Sequence, residues 1–203
     1  MRALDVRSDP AEDEGGSTRE SSRGGRVLTA DHLFVASIVA VLVPIVVATI
    51  RAARSGWMPV GDNAYFLIRS RDVLTENHPL LGTWTSASQN TDTNFNNPGP
   101  MMFDLLAIPS KLGGGMGLGV GVAVLNGLSV IGIALMARRR GGPVLGVAAM
   151  AVCALLASSL GSELLYDPWQ PHSLLLPFLF GLTCVWSLVA GDVTALPWAL
   201  GVG

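Results

Sequence analysis

Four long apolar runs constrain the fold of this chain more than any other feature of its sequence. They cover residues 33–50, 116–137, 143–161 and 173–191. A helix needs about 20 mostly apolar residues to cross a bilayer, and each run comes close to or reaches that length. A further apolar run starts near residue 195 and continues to the last residue. We therefore expect an all-α, polytopic transmembrane protein with about four complete spans and a truncated fifth.

The composition agrees with a membrane protein and argues against nucleic acid as a partner. Charged residues make up 14% of the chain and hydrophobic residues 50%, whereas a soluble domain has about 25% charged residues. The mean hydropathy is +0.48. No basic block beyond Arg138, Arg139 and Arg140 is available to grip a phosphate backbone. Cys153 and Cys184 fall inside apolar runs, where cysteine is expected to behave as a small hydrophobe.

The placement of arginine residues predicts the orientation of the spans. Residues 1–31 are rich in Ser, Gly, Glu and Arg and predict a disordered cytoplasmic tail, followed by a transmembrane domain over residues 32–203. The arginines at 138–140 lie in a short turn between two runs, which favours the cytoplasmic side for that turn. We therefore expect a multi-pass protein of the cell membrane with a cytoplasmic N-terminus and outer loops over about 51–115 and 162–172.

The first outer loop contains a second, shorter apolar stretch. Residues 101–112 are too few to span a bilayer, and they include Asp104 and Lys111 between flanking prolines. This pattern predicts an interfacial or re-entrant helix. Four arginines (Arg51, Arg54, Arg69, Arg71) oppose the orientation, but long loops cross membranes largely regardless of charge. The glycines at 117, 119, 121 and 127 predict close helix approach.

Each outer loop carries an acid near the membrane surface. Asp62 stands in "GDNAYF" and Asp167 in "YDPWQPH", and the predicted topology places both on one face. Asp62 is also a plausible N-cap for a helix that begins near Asn63, and Asp167 before Pro168 is also typical of a turn. The residues alone leave both readings open.

The order of these elements resembles the N-terminal part of the GT-C superfamily of polyprenyl-phosphate-sugar-dependent membrane glycosyltransferases. A first span precedes an outer-loop acid, then "NNPGPMMFDLLAIP", an arginine-rich inner turn and a second-loop aspartate. The resemblance implies that Asp62 is the catalytic base, that Asp167 is the second catalytic aspartate, and that the sugar is transferred with inversion. The lone first acid, where many members have a pair, departs from the pattern, as do Asp104 and Lys111.

Further residues suit such a reaction. Arginine matches phosphate geometry, so Arg69 and Arg71 are candidate phosphate ligands, and His78 and His172 are alternatives. Amides bind sugar hydroxyls well, and Asn97 lies in the asparagine-rich part of the first loop. A divalent cation, Mg²⁺ or Mn²⁺, is a further possibility for holding phosphate. The resemblance implies a lipid-linked sugar donor, a cell-envelope acceptor and membrane lipids as partners.

Two other classes of function stay open from the sequence. One is a non-enzymatic integral membrane protein, such as a transporter subunit or scaffold. That class predicts ionisable residues inside the spans, and the four runs contain none. The other is an inactive, truncated gene product, since we expect a hexosyl- or pentosyltransferase of this superfamily to be a longer chain.

Overall fold

The computed structural model describes residues 18–82, 84, 88–89, 91–93, 95–96 and 99–202. The described residues form six α-helices: α1 (Thr18–Arg54), α2 (Asp62–Asp72), α3 (Met101–Leu160), α4 (Gln170–Ser173), α5 (Leu175–Val189) and α6 (Leu196–Val202). Two short 3₁₀ turns, Glu163–Leu165 and Val193–Ala195, complete the set. The part of the chain that the structure describes has no β-strand, and only Trp84 and Asn96 form an isolated bridge.

Three helical stretches are long and apolar enough to cross a membrane. They are Ala30–Arg54, Met101–Leu160 and Gln170–Val189. The prediction of a mostly helical protein with membrane-spanning helices is therefore confirmed. The three stretches include all four of the apolar runs identified in the sequence, apart from the terminal residues of the last two.

Helix α3 is interrupted at two places by glycine. A straight helix of its 60 residues would measure about 90 Å, three times the hydrocarbon thickness of a bilayer. Gly114 has φ 58° and ψ −137°, and Gly142 has φ 70° beside a non-helical Gly141. These conformations are open to glycine and costly for other residues. They divide α3 into segments 101–113, 115–140 and 143–160.

Helix α1 begins further towards the N-terminus than the apolar run suggests. The predicted disordered tail over residues 1–31 lies outside the described residues up to residue 17, but residues 18–31 are helical. Once an apolar stretch has nucleated a helix, adding residues to its end costs little. The polar residues that precede the span therefore continue its helix.

The contacts between helices define two opposite ends of the bundle. At one end, which we call the arginine end, Arg138 Nη2 lies 2.9 Å from Asp31 Oδ1, and Arg140 Nη2 donates to the Ala190 carbonyl at 2.9 Å. At the other, the loop end, the Trp57 and Tyr166 rings meet edge to face with centroids 5.4 Å apart. Both predicted outer loops therefore lie at the end opposite the arginine turn.

Segment 101–113 folds back onto segment 115–140, and glycines make this possible. A Cβ added at Gly117 would lie 2.0 Å from the Pro109 carbonyl oxygen, and one at Gly121 would lie 2.8 Å from both Leu106 and Pro109 side chains. At Gly119 the nearest atom, on Trp57, would be 3.3 Å away. The prediction of close helix approach is confirmed at Gly117 and Gly121, whereas the atoms of other elements close to Gly119 belong to the loop residues Trp57 and Tyr166. The prediction is wrong at Gly127, where the nearest atom would be an ordinary 3.7 Å away.

Candidate functional site

Asp62 is the first residue of α2, and its carboxylate faces solvent. Gly61 precedes it with φ 58° and accepts the Tyr65 N–H, so Gly61 occupies the N-cap position. The alternative prediction, in which Asp62 is the N-cap, is therefore wrong by one residue. A carboxylate in the first turn still interacts favourably with the helix dipole. Because the side chain is exposed and caps no N–H, it is free to meet a ligand.

Asp167 joins the second loop to the first. Its Oδ1 accepts a hydrogen bond from Asn63 Nδ2 at 2.8 Å, and the same oxygen accepts from the Trp169 N–H at 3.0 Å. The second bond is the turn expected for an aspartate before proline. The first links residues 104 positions apart. The structure thus places Asn63, the residue after Asp62, in contact with Asp167. This agrees with the prediction that the two loops lie on one face.

Two buried polar atoms at the loop end have no hydrogen-bond partner. They are Asn63 Oδ1 and His172 Nδ1. His172 belongs to the same group because its ring packs on Trp169, with centroids 4.7 Å apart. Leaving a buried polar group unpaired costs about 1–3 kcal/mol, so such atoms mark places where a ligand or water would bind. The group formed by Asn63, Asp167, Trp169 and His172 is called the loop-end cluster.

Arg69 lies on the same face of α2 as Asp62. A spacing of seven residues places two side chains on one helix face, about 10 Å apart along the axis. Arg69 Nη1 lies 3.3 Å from Asp72 Oδ2, while its Nε is buried without a partner. Of the five guanidinium N–H groups, those on Nη1 and Nη2 that Asp72 does not engage are left for a ligand. Arg71 is exposed elsewhere on the helix surface.

His78 belongs to a different group of residues from the loop-end cluster. Its Nδ1 accepts the Leu74 N–H at 2.8 Å, and its Nε2 lies 3.7 Å from Asp104 Oδ1. The ring therefore connects the turn after α2 to segment 101–113. Its predicted phosphate-binding role gains no support from these contacts. Asn97, another predicted ligand, lies outside the described residues.

Tyr166 is a buried residue of the site that the sequence reasoning missed. Burial and the nearby carboxylates of Glu163 and Asp167 raise the pKa of Tyr166, and Arg51 opposes them. The phenol therefore stays neutral and braces the loop against Trp57. Its position next to Asp167 in "YDPW", in a loop otherwise rich in polar residues, is a weak signal for such a role.

Asn126 fixes the second loop to a membrane-spanning segment. Its Nδ2 donates to the Leu165 carbonyl at 3.0 Å from a buried position, and its Oδ1 is unpaired. The sequence offered a signal here, because Asn126 is the only asparagine in the four apolar runs. A polar side chain in a span usually has a specific partner, and here that partner is a loop carbonyl.

The described residues offer no ready metal site. No three His, Cys, Asp or Glu side chains in that part of the chain lie close enough together to hold an ion. A cavity of about 260 Å³ lies between α1 and segment 143–160 and is lined mostly by small and apolar residues, among them Ala40, Pro44 and Ala157. It is separate from the loop-end cluster.

This chain was compared with protein families, curated proteins and solved structures. No protein-family model, curated protein or solved structure matches this chain. Inference about function therefore depends on the residues and contacts of the chain itself. Among these, the contact between Asn63 and Asp167 joins the two acid-bearing loops by a hydrogen bond, beside the ring contact of Trp57 with Tyr166.

Proposed function

We propose that this chain is the N-terminal portion of a membrane glycosyltransferase of the GT-C type. It would transfer a sugar from a polyprenyl-phosphate donor to an acceptor hydroxyl at the outer face of the cell membrane. The observation that carries the proposal is the hydrogen bond from Asn63 to Asp167. It brings the loop that follows the first span to the aspartate of the second loop, as a shared active site requires.

The proposal includes a topology of four complete crossings. Segments 115–140 and 143–160 are joined by the arginine turn, and each is long enough to cross a bilayer. With that turn in the cytoplasm, the loop end faces outwards and the N-terminus stays inside. A donor whose lipid chain lies in the outer leaflet would present its phosphate at the level of this end.

In the proposed reaction Asp62 is the general base. Its exposed carboxylate takes the proton of the acceptor hydroxyl as that oxygen attacks the anomeric carbon of the donor. The bond from this carbon to the phosphate oxygen breaks, and the lipid phosphate leaves with the electron pair. Arg69, on the same face of α2, donates to that phosphate from the terminal guanidinium N–H groups that Asp72 does not engage. Attack opposite to the leaving group inverts the anomeric centre.

Asp167 and its neighbours would bind the sugar or the acceptor. Asn63 Nδ2 and the Trp169 N–H both donate to Asp167 Oδ1. Asp167 Oδ2 accepts no hydrogen bond from the described residues. Asn63 Oδ1 adds an unpaired acceptor, and His172 Nδ1 adds an unpaired ring nitrogen that accepts or donates according to its tautomer. Hydroxyl groups are donors that match this set. A phosphate, which only accepts when fully ionised, fits Arg69 better.

The test is sugar transfer by the longest natural reading frame containing this chain, in membranes supplied with radiolabelled polyprenyl-phosphate hexoses and pentoses. Asp62→Asn should reduce transfer by about 10²–10⁴, the usual contribution of a general base. Glu76→Gln is the matched control, since Glu76 is an exposed acid of the same loop. Full activity in Asp62→Asn would remove Asp62 from the mechanism. If the unaltered protein transfers no sugar from any of these donors, the proposed function is wrong.

A further inference from the structure

Segment 101–113 carries an apolar stripe that no described part of the chain covers. The stripe consists of Met101, Leu105, Ile108 and Leu112, which are 46%, 53%, 71% and 85% exposed. Their spacing of four, three and four residues places them on one helix face. The opposite face is buried in a cluster that includes Phe103 and Leu106. The helix is therefore apolar on two faces, and only one of them packs against protein.

The two charged residues of the segment lie along the edge of this stripe that is next to α2. Asp104 Oδ1 lies 3.7 Å from His78 Nε2, and Lys111 Nζ donates to the Val73 carbonyl. Both contacts are with the turn that follows α2. The two charges that make the segment look unsuited to a membrane therefore lie on the side next to α2. The exposed stripe itself carries no charge.

The depth of the segment along the bundle follows from contacts already described. Trp57 and the Tyr166 carbonyl flank Gly119 at the loop end, and Arg138 marks the arginine end. The 19 residue-to-residue steps from Gly119 to Arg138 rise about 28 Å as a helix, close to the hydrocarbon thickness of about 30 Å. Segment 101–113 contacts Gly117 and Gly121. It therefore lies at the level where the hydrocarbon of the loop-end leaflet begins.

The exposed apolar surface also continues from this segment into the membrane-spanning part. Along segment 115–140, Val120, Val124, Leu128 and Leu135 are 40%, 54%, 61% and 50% exposed and form a face that a spanning helix turns to lipid. Segment 101–113 packs on the first turns of the same helix. A stripe at this depth, joined to a lipid-facing surface, has the properties of a helix seated in the interface.

We propose that Met101, Leu105, Ile108 and Leu112 insert into the acyl-chain region of the bilayer leaflet at the loop end. The occupant of the stripe is lipid, neither water nor a second protein. Once the stripe is inserted, the contacts of His78 with Asp104 and of Lys111 with the Val73 carbonyl hold α2 beside the segment. The start of α2 is thereby kept at the level of the lipid headgroups. This inference does not depend on the proposed glycosyl transfer.

Spin labelling of the full chain in phosphatidylglycerol and phosphatidylcholine vesicles tests the insertion. Cys153 and Cys184, both buried, are first replaced by alanine, and a nitroxide is then placed at residue 105, 108 or 112 in separate variants. Collision of the label with oxygen, which concentrates in hydrocarbon, is compared with collision with a water-soluble nickel chelate. Val124→Cys gives the reference for lipid and Thr91→Cys, in an exposed loop, the reference for water.

We expect labels on the stripe to resemble the label at residue 124, with nickel collisions several-fold lower than at residue 91. Nickel access equal to that at residue 91 would show that the stripe lies in water. Low access to both oxygen and nickel would show that protein covers it. Either result overturns the proposal. Because three positions share the stripe, a variant that fails to reconstitute leaves two others to decide the result.

Discussion

Replacing Asn63 with aspartate should turn the contact between the two loops into a pH-dependent one. In the protein as it stands, Asn63 Nδ2 donates to Asp167 Oδ1 at 2.8 Å. An aspartate at position 63 would set two carboxylates at about that separation. Close carboxylates do not both ionise readily, so one member of the pair would hold its proton to a higher pH than an isolated acid.

The size of the effect follows from the lost bond and the new repulsion. A hydrogen bond to a charged group contributes about 1.5–3 kcal/mol. Two unit charges about 4 Å apart repel by about 4 kcal/mol at an effective dielectric constant of 20. Both side chains are only half-buried, so we discount the repulsion for solvent screening to roughly 1–2 kcal/mol. At neutral pH the variant should therefore lose about 2.5–5 kcal/mol of loop-closing free energy.

The sign of the pH dependence is fixed by which state binds the proton more tightly. The shared proton raises the pKa of one carboxyl in the folded variant above its unfolded value of about 3.9. The stability due to that proton is complete below the unfolded pKa and is lost as the pH rises through the folded pKa. Asn63→Asp should therefore melt lower at pH 7 than at pH 4.5, relative to a matched Asn63→Leu control.

Thermal unfolding in detergent, followed by circular dichroism at several pH values, measures this difference. A change of 1 kcal/mol shifts the melting temperature of a chain of this size by about 2–4 °C. Asn63→Leu loses the bond but adds no charge, so its deficit relative to the unaltered protein should not vary with pH. If Asn63→Asp and Asn63→Leu melt alike at every pH, residues 63 and 167 are not in contact and the site is wrong.

Three further substitutions test other parts of the structure. Gly117→Ala should destabilise the protein by about 1–3 kcal/mol, the usual cost of overpacking, because its Cβ would meet the Pro109 backbone. The control Gly127→Ala should leave stability unchanged or raise it by up to about 1 kcal/mol. Equal melting temperatures of the two variants would contradict the fold-back of segment 101–113. Tyr166→Phe should remove the phenol that ionises last in an alkaline absorbance titration, because burial raises the pKa of Tyr166 above 10.0. The stability from its neutral form is complete below that pH and is lost as the pH rises through the folded pKa, and an early-titrating Tyr166 would contradict its burial. Leu74→Gly should leave stability unchanged or raise it by up to about 1 kcal/mol in the same melting assay. The reason is that Leu74 is exposed with φ 61°, a conformation that costs a non-glycine residue about 1–2 kcal/mol. A clear loss of stability would contradict this conformation of Leu74.

The sequence predicts the spans because hydropathy acts over whole segments. About 20 apolar residues must leave water together, and no single side chain decides where they go. The short helix at 101–113 was predictable for the same reason, since a dozen apolar residues cannot cross. Its fold-back onto Gly117 and Gly121 depends on the glycine conformation at Gly114, which has φ 58°. Composition does not reveal which of several glycines adopts it.

The candidate site was only partly predictable. Asp62 and Asp167 were identified from their place after apolar runs, but Asn63, which follows Asp62 and donates to Asp167, was not. That contact spans 104 positions, so no local pattern of residue types reveals it. The alternative role of Asp62 as a cap failed because Gly61 takes the N-cap position with φ 58°. A shift of one residue lies within the ordinary uncertainty of helix ends.

At His78, local backbone geometry overrides the phosphate-binding role predicted from the residue type. A histidine before proline in an outer loop looks available to a phosphate. Leu74 instead adopts φ 61° and directs its N–H to His78 Nδ1. Asp104 lies on the other side of the ring. The imidazole is thereby committed to holding a turn, which no pattern of residue types in this loop predicts.

The two ends of the bundle are fastened by separate sets of contacts, and this separation makes the site testable. At the arginine end, Arg138 pairs with Asp31 and also lies over the Phe34 ring, with 4.9 Å from its guanidinium carbon to the ring centroid. Arg140 bonds the Ala190 carbonyl. None of these groups touches the loop-end cluster, and effects at sites without shared partners usually add. A substitution at Asp62, which is exposed, should therefore leave the packing of the spans intact. Loss of transfer in such a variant, with unchanged melting of the helices, reports on the site rather than on the fold.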